Sequence, residues 1–203
     1  MRVLGVETVT SVISVAIVDE EKVLGELSMD VGLTHSTYLM ANIETILKAV
    51  NLKVEDLDGF AVSAGPGSFT GLRVGFSLVK GLAFAGKKPV VGIPSLDALA
   101  YRYSKYTGMR STLGQSKGKF NTLICPMLVA KKEEVYFALY SNSKDGFVKI
   151  AKESSSSIEE TLKSIKKMTF NSVVFLGDGA VKYLRNIKKS FKNSTLAPVS
   201  IRF

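Results

Sequence analysis

One segment carries the strongest structural signal, and it reads Ala64-Gly65-Pro66-Gly67-Ser68-Phe69-Thr70-Gly71-Leu72-Arg73-Val74-Gly75. The apolar run 59–63 before it predicts a buried strand, and the apolar run 72–85 after it predicts a helix. Three glycines in the loop permit backbone conformations and close approaches that side chains would block. Ser68 and Thr70 are residue types that cap the free N–H groups of a helix. The segment therefore predicts a strand, a tight loop and a helix start, a geometry that can hold a phosphate.

The loop completes neither of the common nucleotide motifs. A Walker loop needs Lys and then Ser or Thr after its last glycine, whereas Gly71 is followed by Leu72 and Arg73. The dinucleotide fingerprint needs a glycine where Thr70 stands. A turn that lets a helix pack closely on a sheet explains the glycines at least as well. We therefore expect no cofactor, and the candidates for binding one are Gly65, Gly67, Ser68, Thr70 and Gly71.

Composition limits the class of protein. The 203 residues carry a net charge of +9, divided between −4 in residues 1–86 and +13 in residues 87–203. A basic half can attract nucleic acid, although lysines on helical stretches are more often a solvated face. No apolar run is long enough to span a membrane and no leader pattern opens the sequence, so we expect a cytoplasmic protein. With Cys125 and His35 the only residues of their types, a disulfide and a two-histidine metal site are excluded, and Cys125 is expected to be a buried thiol.

The order of predicted elements indicates a duplicated fold. Residues 1–106 read as a meander of three strands followed by alternating helices and strands, and residues 120–203 repeat that order in shortened form. Thr34 or Ser36 is expected to cap the first helix, whose apolar residues at 39, 43, 46, 47 and 50 recur at helical spacing. In the second half the sequence predicts a strand at 148–152, a helix that the capping box at 157–160 opens, and a last helix from about residue 181. The polar, glycine-rich stretch 107–119 is expected to be the link between the two lobes. This order is typical of the α/β actin-like ATPase fold, which is built from two ribonuclease H-like units.

Three motifs resemble the bacterial TsaB (YeaZ) family. They are the glycine segment above, Val6-Glu7-Thr8-Val9-Thr10 ahead of Ser14-Val15-Ala16, and Thr34-His35-Ser36 before the first helix. The resemblance covers the first hundred residues well and the second half loosely. It implies an actin-like ATPase fold and a role in making threonylcarbamoyladenosine in tRNA.

The resemblance also implies a partner rather than a catalyst. Family members pair with the related TsaD-type subunit, which transfers the threonylcarbamoyl group to the adenosine beside the anticodon, and with a TsaE-type ATPase. The catalytic relative carries a metal-binding His-x-x-x-His where Ser95 and Leu99 stand here, and neither is a ligand for such a metal. We therefore expect no catalytic residue and no metal site, with tRNA contacted indirectly or weakly.

Two segments depart from the family pattern. The usual Asp-Thr-Ser of the first strand is replaced by Glu7-Thr8-Val9, which removes a hydroxyl that could touch phosphate. The usual Asp-Ala-Arg appears as Val129-Ala130-Lys131, so the acid and its guanidinium partner are lost. The role of that pair in relatives cannot be carried over to this chain.

The helix predicted from Leu72 to Ala85 is apolar nearly all round, so it is expected either to be fully buried or to bury a second face in another subunit. Gly71 and Gly75 are expected to permit close approach of another helix. Relatives associate through this helix and the one before it, and a lone chain is expected to form a homodimer the same way. The residues expected at the partner interface are Leu39, Met40, Ile43, Leu72, Arg73, Phe76, Val79 and Lys80.

Two other functions compete with this one. An ATP-dependent phosphotransferase of the actin and sugar-kinase type would use residues 65–71 as its phosphate loop and needs acids for magnesium, for which Glu7 and Asp178 are available. Asp178 lies between two glycines, which favours a simple turn. A direct RNA binder would use the basic half and show steep salt dependence.

Overall fold

The computed structural model describes residues 1–20, 22–32, 35–107, 120–143, 146–192 and 194–198. Contacts divide the chain into two compact units, Met1–Ser95 and Leu96–Phe203. In the described residues, no helix is both long enough and apolar enough to cross a membrane.

The first unit is a five-stranded sheet with two helices. Its strands are β1 (Arg2–Glu7), β2 (Val12–Asp19), β3 (Lys22–Asp30), β4 (Gly59–Ser63) and β5 (Val90–Ile93), in the order β3-β2-β1-β4-β5. The pairs of β1 with β2 and of β2 with β3 are antiparallel, and β4 lies parallel to both β1 and β5. The helices are α1 (His35–Ala49) and α2 (Phe69–Gly86), with a short 3-10 helix at Val54–Asp56.

The core of this unit follows from strand alternation. On β2 the inward residues Ile13, Val15 and Ile17 are completely buried, whereas the residues between them are only partly so. Helices α1 and α2 add apolar residues spaced at three and four, including Leu39, Ile43 and Val79. The helices therefore use one face each to cover the sheet.

The second unit repeats this architecture. It contains α3 (Ser95–Tyr106), which starts at the boundary, followed by the strands and helices listed here in chain order: β6 (Phe120–Val129), β7 (Glu134–Ser143), β8 (Gly146–Ser157), α4 (Ile158–Lys166), β9 (Phe170–Leu176), α5 (Asp178–Lys182), α6 (Leu184–Ser190) and β10 (Thr195–Leu196). The strand order β10-β9-β6-β7-β8 is that of the first sheet, with β6 in the place of β1. The duplicated actin-like fold is therefore confirmed. Its second copy ends on a strand of only two residues.

Several bounds differ from the predicted ones. Strand β8 was expected to end at Lys152 but continues to Ser157, because the serines pair with β7 down to Glu134. The last helix was expected from about Val181, but there are two short helices, and Asp178 already lies in the first. The short β10 was not predicted, because two residues give no period to detect. Thr34, a proposed cap of α1, lies outside the described residues.

The division between the units falls earlier than the predicted link at 107–119, of which 108–119 lie outside the described residues. Helix α3 is fastened to the second sheet by its first-turn acid. The Tyr140 hydroxyl donates a hydrogen bond to Asp97, and the Lys149 ammonium lies 2.7 Å from the same carboxylate. These bonds explain why α3 groups with the second unit. The role of 107–119 as a link stays a prediction.

Candidate functional site

The glycine loop packs directly on the turn between β1 and β2. A Cβ added at Gly67 would overlap the side chain of Val9, and one added at Gly71 would overlap the carbonyl oxygen of Thr8. A Cβ at Gly75 would lie 2.5 Å from the Thr8 hydroxyl oxygen. The glycines are therefore required by the contact between two backbones of the same unit. The expectation that Gly71 and Gly75 admit another helix was wrong, because the turn fills that space.

Hydrogen bonds hold the loop to the turn. The Ser68 N–H donates to the Val9 carbonyl oxygen at 2.8 Å, and the Thr8 hydroxyl donates to the Gly71 carbonyl oxygen at 2.8 Å. The Ser68 hydroxyl in turn accepts from the Gly71 N–H, which caps α2 as the sequence predicted. Thr70 is exposed on the first turn of α2. Of the five candidates for cofactor binding, Gly67, Ser68 and Gly71 are therefore already engaged by the protein itself.

Glu7 ends β1 beside this contact. Its carboxylate accepts a hydrogen bond from the Ser63 hydroxyl at the end of β4, and it accepts another from the Val9 N–H at 2.7 Å. Burial raises the pKa of Glu7, while the hydrogen bonds from Ser63 and the backbone oppose that rise. Both carboxylate oxygens thus serve to join β1 to β4 and to close the turn.

Asp178 performs the corresponding role in the second unit. It accepts a hydrogen bond from the Val129 N–H at 2.9 Å, and burial raises its pKa. A Cβ at Gly177 would overlap the carbonyl oxygen of Met127. The altered segment Val129-Ala130-Lys131 forms the end of β6 and the following turn, where the Ala130 N–H donates to the Glu134 carbonyl oxygen. In the described residues, no three His, Cys, Asp or Glu side chains lie close enough to hold a metal ion.

A second feature is a groove of about 620 Å³ between α1 and α2. Its walls mix apolar and polar side chains, and they are Ser36, Leu39, Met40, Thr70, Arg73, Val74, Ser77 and Leu78. Arg73 stands over the ring of Phe69, 5.5 Å from its centroid, and Lys80 stands over the ring of Phe76 at 5.8 Å. The exposed side of α2 therefore carries cations backed by aromatic rings.

The predicted interface residues fall into three groups. Leu39, Ile43 and Val79 are completely buried in the core of the first unit, and of these three only Leu39 also lines the groove. Leu72 and Phe76 are partly buried. Met40, Arg73 and Lys80 are exposed, and of these Met40 and Arg73 line the groove.

Sequence reasoning missed two exposed aromatic residues on α2. Phe69 is 73% exposed and Phe84 is 88% exposed, among the most exposed large apolar side chains that the structure describes. The sequence does indicate that α2 is apolar on all sides, so the helix has more than one apolar face. The sequence does not indicate which of these apolar residues cover the sheet and which are exposed.

Residues 29–201 match the sequence model of the family described as TsaD, tRNA N6-adenosine threonylcarbamoyltransferase. The chain belongs to the TsaD family. Within this family it is similar to proteins named tRNA threonylcarbamoyladenosine biosynthesis protein TsaB. The relative from Bacillus subtilis is 26% identical over 87% of this chain and 71% of its own length. The relative from Haemophilus influenzae is 26% identical over 97% of this chain and 80% of its own length.

Solved structures agree on the fold. The structure described as YeaZ from Pseudomonas aeruginosa has a TM-score of 0.72 at 23% identity, covering 98% of this chain and 83% of that one. These comparisons confirm the TsaB (YeaZ) resemblance. Ser95 and Leu99, which the resemblance sets against the metal-binding histidines of the catalytic relative, lie on the first two turns of α3. Ser95 is buried, and its N–H donates to the Gly65 carbonyl oxygen at 2.8 Å.

Proposed function

We propose that this chain is a non-catalytic subunit required for threonylcarbamoyl transfer to the adenosine beside the anticodon of tRNA. It acts by docking on a TsaD-type catalytic subunit and by supporting the binding of a TsaE-type ATPase. The similarity to relatives named tRNA threonylcarbamoyladenosine biosynthesis protein TsaB supports a role for this chain in that biosynthesis. The observation that supports the role of docking partner is the α1–α2 groove with its exposed Met40, together with Phe69 and Phe84, which are exposed elsewhere on α2.

The glycine loop supports a docking role over phosphotransfer. An ATP-dependent enzyme would keep the loop N–H groups and nearby carboxylates open to phosphate and magnesium. Here the Ser68 N–H is bound to Val9, the Gly71 N–H is bound to Ser68, and Glu7 is bound to Ser63. The loop thus serves to fix α2, whose outer face is the docking surface in this proposal.

The test is a pair of matched methionine substitutions. Met40 lies in the groove and is 38% exposed, whereas Met29 lies on β3 and is 40% exposed. Sedimentation velocity with a purified TsaD-type subunit should give a discrete complex for the wild type and for Met29→Asp. We expect Met40→Asp to weaken that complex at least tenfold, because the new carboxylate would be desolvated in an interface of about 1,600 Å².

Val79 and Phe76 are unsuitable positions for this test, because Val79 is completely buried and Phe76 packs partly against the same core. A charge at Val79 would enter the core and unfold the unit, so loss of the complex would say nothing about docking.

If Met40→Asp binds as tightly as Met29→Asp, the groove is not the docking surface. If the wild type forms no complex with a folded partner, the subunit role itself is refuted.

A further inference from the structure

The outer surface of the second unit carries an uncompensated block of positive charge. Residues 163–192 contain eight Lys and Arg and one acidic residue, Asp178. All eight cations are exposed, and they are Lys163, Lys166, Lys167, Lys182, Arg185, Lys188, Lys189 and Lys192. Asp178 points its carboxylate inward to the Val129 N–H and neutralises little of the surface. Within the part of the chain that the structure describes, none of the eight takes part in a salt bridge.

The sequence spacing gathers seven of the eight cations on or directly after two helices, whereas the eighth, Lys182, is the last residue of α5. Lys163 and Lys166 on α4 and Lys167 directly after it follow the helical spacing of three and four, while the opposite face is buried through Leu162 and Ile165. On and after α6, the four residues Arg185, Lys188, Lys189 and Lys192 follow the same spacing, with Ile187 buried. Like charges at this spacing destabilise a helix by about 0.2–0.5 kcal/mol per pair. The surface therefore keeps an arrangement that costs stability.

The two basic faces meet at one place. Helices α4 and α6 pack together, and the Lys166 ammonium lies 5.8 Å from the centroid of the Phe191 ring. From the last turn of α6, the Lys188 ammonium donates to the Ser194 carbonyl oxygen at 2.8 Å. Phe191 is the first residue after α6, so a cation of α4 contacts a ring that directly follows α6. Together these residues form one surface, which we call the α4–α6 basic surface.

Helix dipoles do not account for the whole arrangement. Positive charge near the C-terminus of a helix is favourable, which explains Lys166 on α4 and Lys189 on α6. Arg185, however, stands in the first turn of α6, where positive charge opposes the dipole. Lys192 lies beyond the end of the helix. A ligand of negative charge accounts for all of them together.

We propose that the α4–α6 basic surface binds the phosphate backbone of RNA. The proposal rests on the proposed function, because tRNA is the substrate of the pathway in which the relatives are named. RNA is favoured over a membrane surface because an interfacial helix needs exposed apolar residues beside its cations. Among the large apolar side chains described as exposed, only Val181 lies within residues 163–192. Contacts to phosphate give affinity without sequence specificity.

The test compares two triple variants that remove the same charge. Lys167→Gln, Lys189→Gln and Lys192→Gln together alter the basic surface, and Lys22→Gln, Lys48→Gln and Lys132→Gln together alter exposed lysines elsewhere. The full chain is titrated into a fluorescein-labelled unmodified tRNA transcript, and anisotropy is followed from about 50 to 200 mM salt. We expect the surface variant to lose at least tenfold in affinity and its salt slope to fall by about 2–3. The control variant should retain most of its affinity and its slope.

Three outcomes would overturn the proposal. These outcomes are wild-type chain that does not bind the transcript, equal losses in both variants, or a surface variant that loses binding only to phosphatidylserine vesicles. Sedimentation with the TsaD-type subunit separates this failure from failure of the proposed function. A surface variant that still forms the complex but has lost RNA affinity supports both proposals. If the wild type binds RNA but never forms the complex, the proposed RNA surface stands and the proposed subunit role is refuted.

Discussion

Glu7 shows how a residue that resembles a catalytic acid is used to build the fold. Its carboxylate accepts from the Ser63 hydroxyl and from the Val9 N–H, so it connects the ends of β1 and β4 to the turn that receives the glycine loop. Burial raises its pKa above the ordinary value of 4.5. The folded chain therefore holds a proton on Glu7 at pH values where the unfolded chain has released it.

The sign of the pH dependence follows from this shift. Because the folded state binds more protons, Glu7 lowers the free energy of unfolding as pH rises through its folded pKa. Glu7→Gln keeps an oxygen for the Val9 N–H and an amide for Ser63, and it removes the cost of ionisation. We expect its stability relative to the wild type to increase as pH rises above 4.5, measured by urea denaturation. Glu44→Gln on the exposed side of α1 is the control, and a pH-independent difference for Glu7→Gln would contradict the assignment.

The two strand-to-helix loops follow one design. After β4, Gly67 and Gly71 press against Thr8 and Val9, and after β9, Gly177 presses against Met127. In both units the contact lies where the central strand ends, so a glycine permits the backbone of the loop to touch the backbone of that strand or its turn. This correspondence joins two motifs, Gly-Pro-Gly and Gly-Asp-Gly, that show no similarity in sequence beyond their glycines.

Two glycines of α2 provide a matched test of this design. A methyl group on Gly71 would overlap the Thr8 carbonyl oxygen, whereas one on Gly81 meets nothing within 4 Å. We expect Gly71→Ala to cost about 3 kcal/mol or more, because backbone must move to admit the methyl group. Gly81→Ala should gain up to about 1 kcal/mol from helix propensity. Thermal unfolding followed by circular dichroism checks both, and equal effects would show that the loop contact is not needed.

Local patterns in the sequence were sufficient to predict most elements but not the use of their outer faces. The spacing of apolar residues predicted α1 and α2, and the box at Ser157 predicted the start of α4. The same spacing could not separate Val79, which is buried, from Phe84, which is exposed, because both lie on a helix that is apolar all round. That distinction depends on where the sheet lies, which is tertiary information.

The whole molecule divides its surface chemistry between its two units. Residues 1–95 contain more acidic than basic residues, whereas residues 96–203 hold 19 Lys and Arg against 8 Asp and Glu. The groove with its exposed Met40 belongs to the first unit, and the α4–α6 basic surface belongs to the second. The proposed subunit contact and the proposed RNA contact thus rest on different residues in different units.

If the two surfaces act independently, the effects of their substitutions on the binding free energies should be additive. Combining Met40→Asp with the triple substitution at Lys167, Lys189 and Lys192 should lower the affinity for the TsaD-type subunit no more than Met40→Asp alone, within about twofold. The combined variant should bind the tRNA transcript as the triple variant does, because no residue is shared and long-range charge effects are screened at about 150 mM salt. The wild type, the Met40→Asp variant, the triple variant and the combined variant are each measured by sedimentation with the TsaD-type subunit and by anisotropy with the tRNA transcript. Coupling well beyond about 0.5 kcal/mol would mean that the partner and RNA contact one continuous surface, contrary to the division argued here.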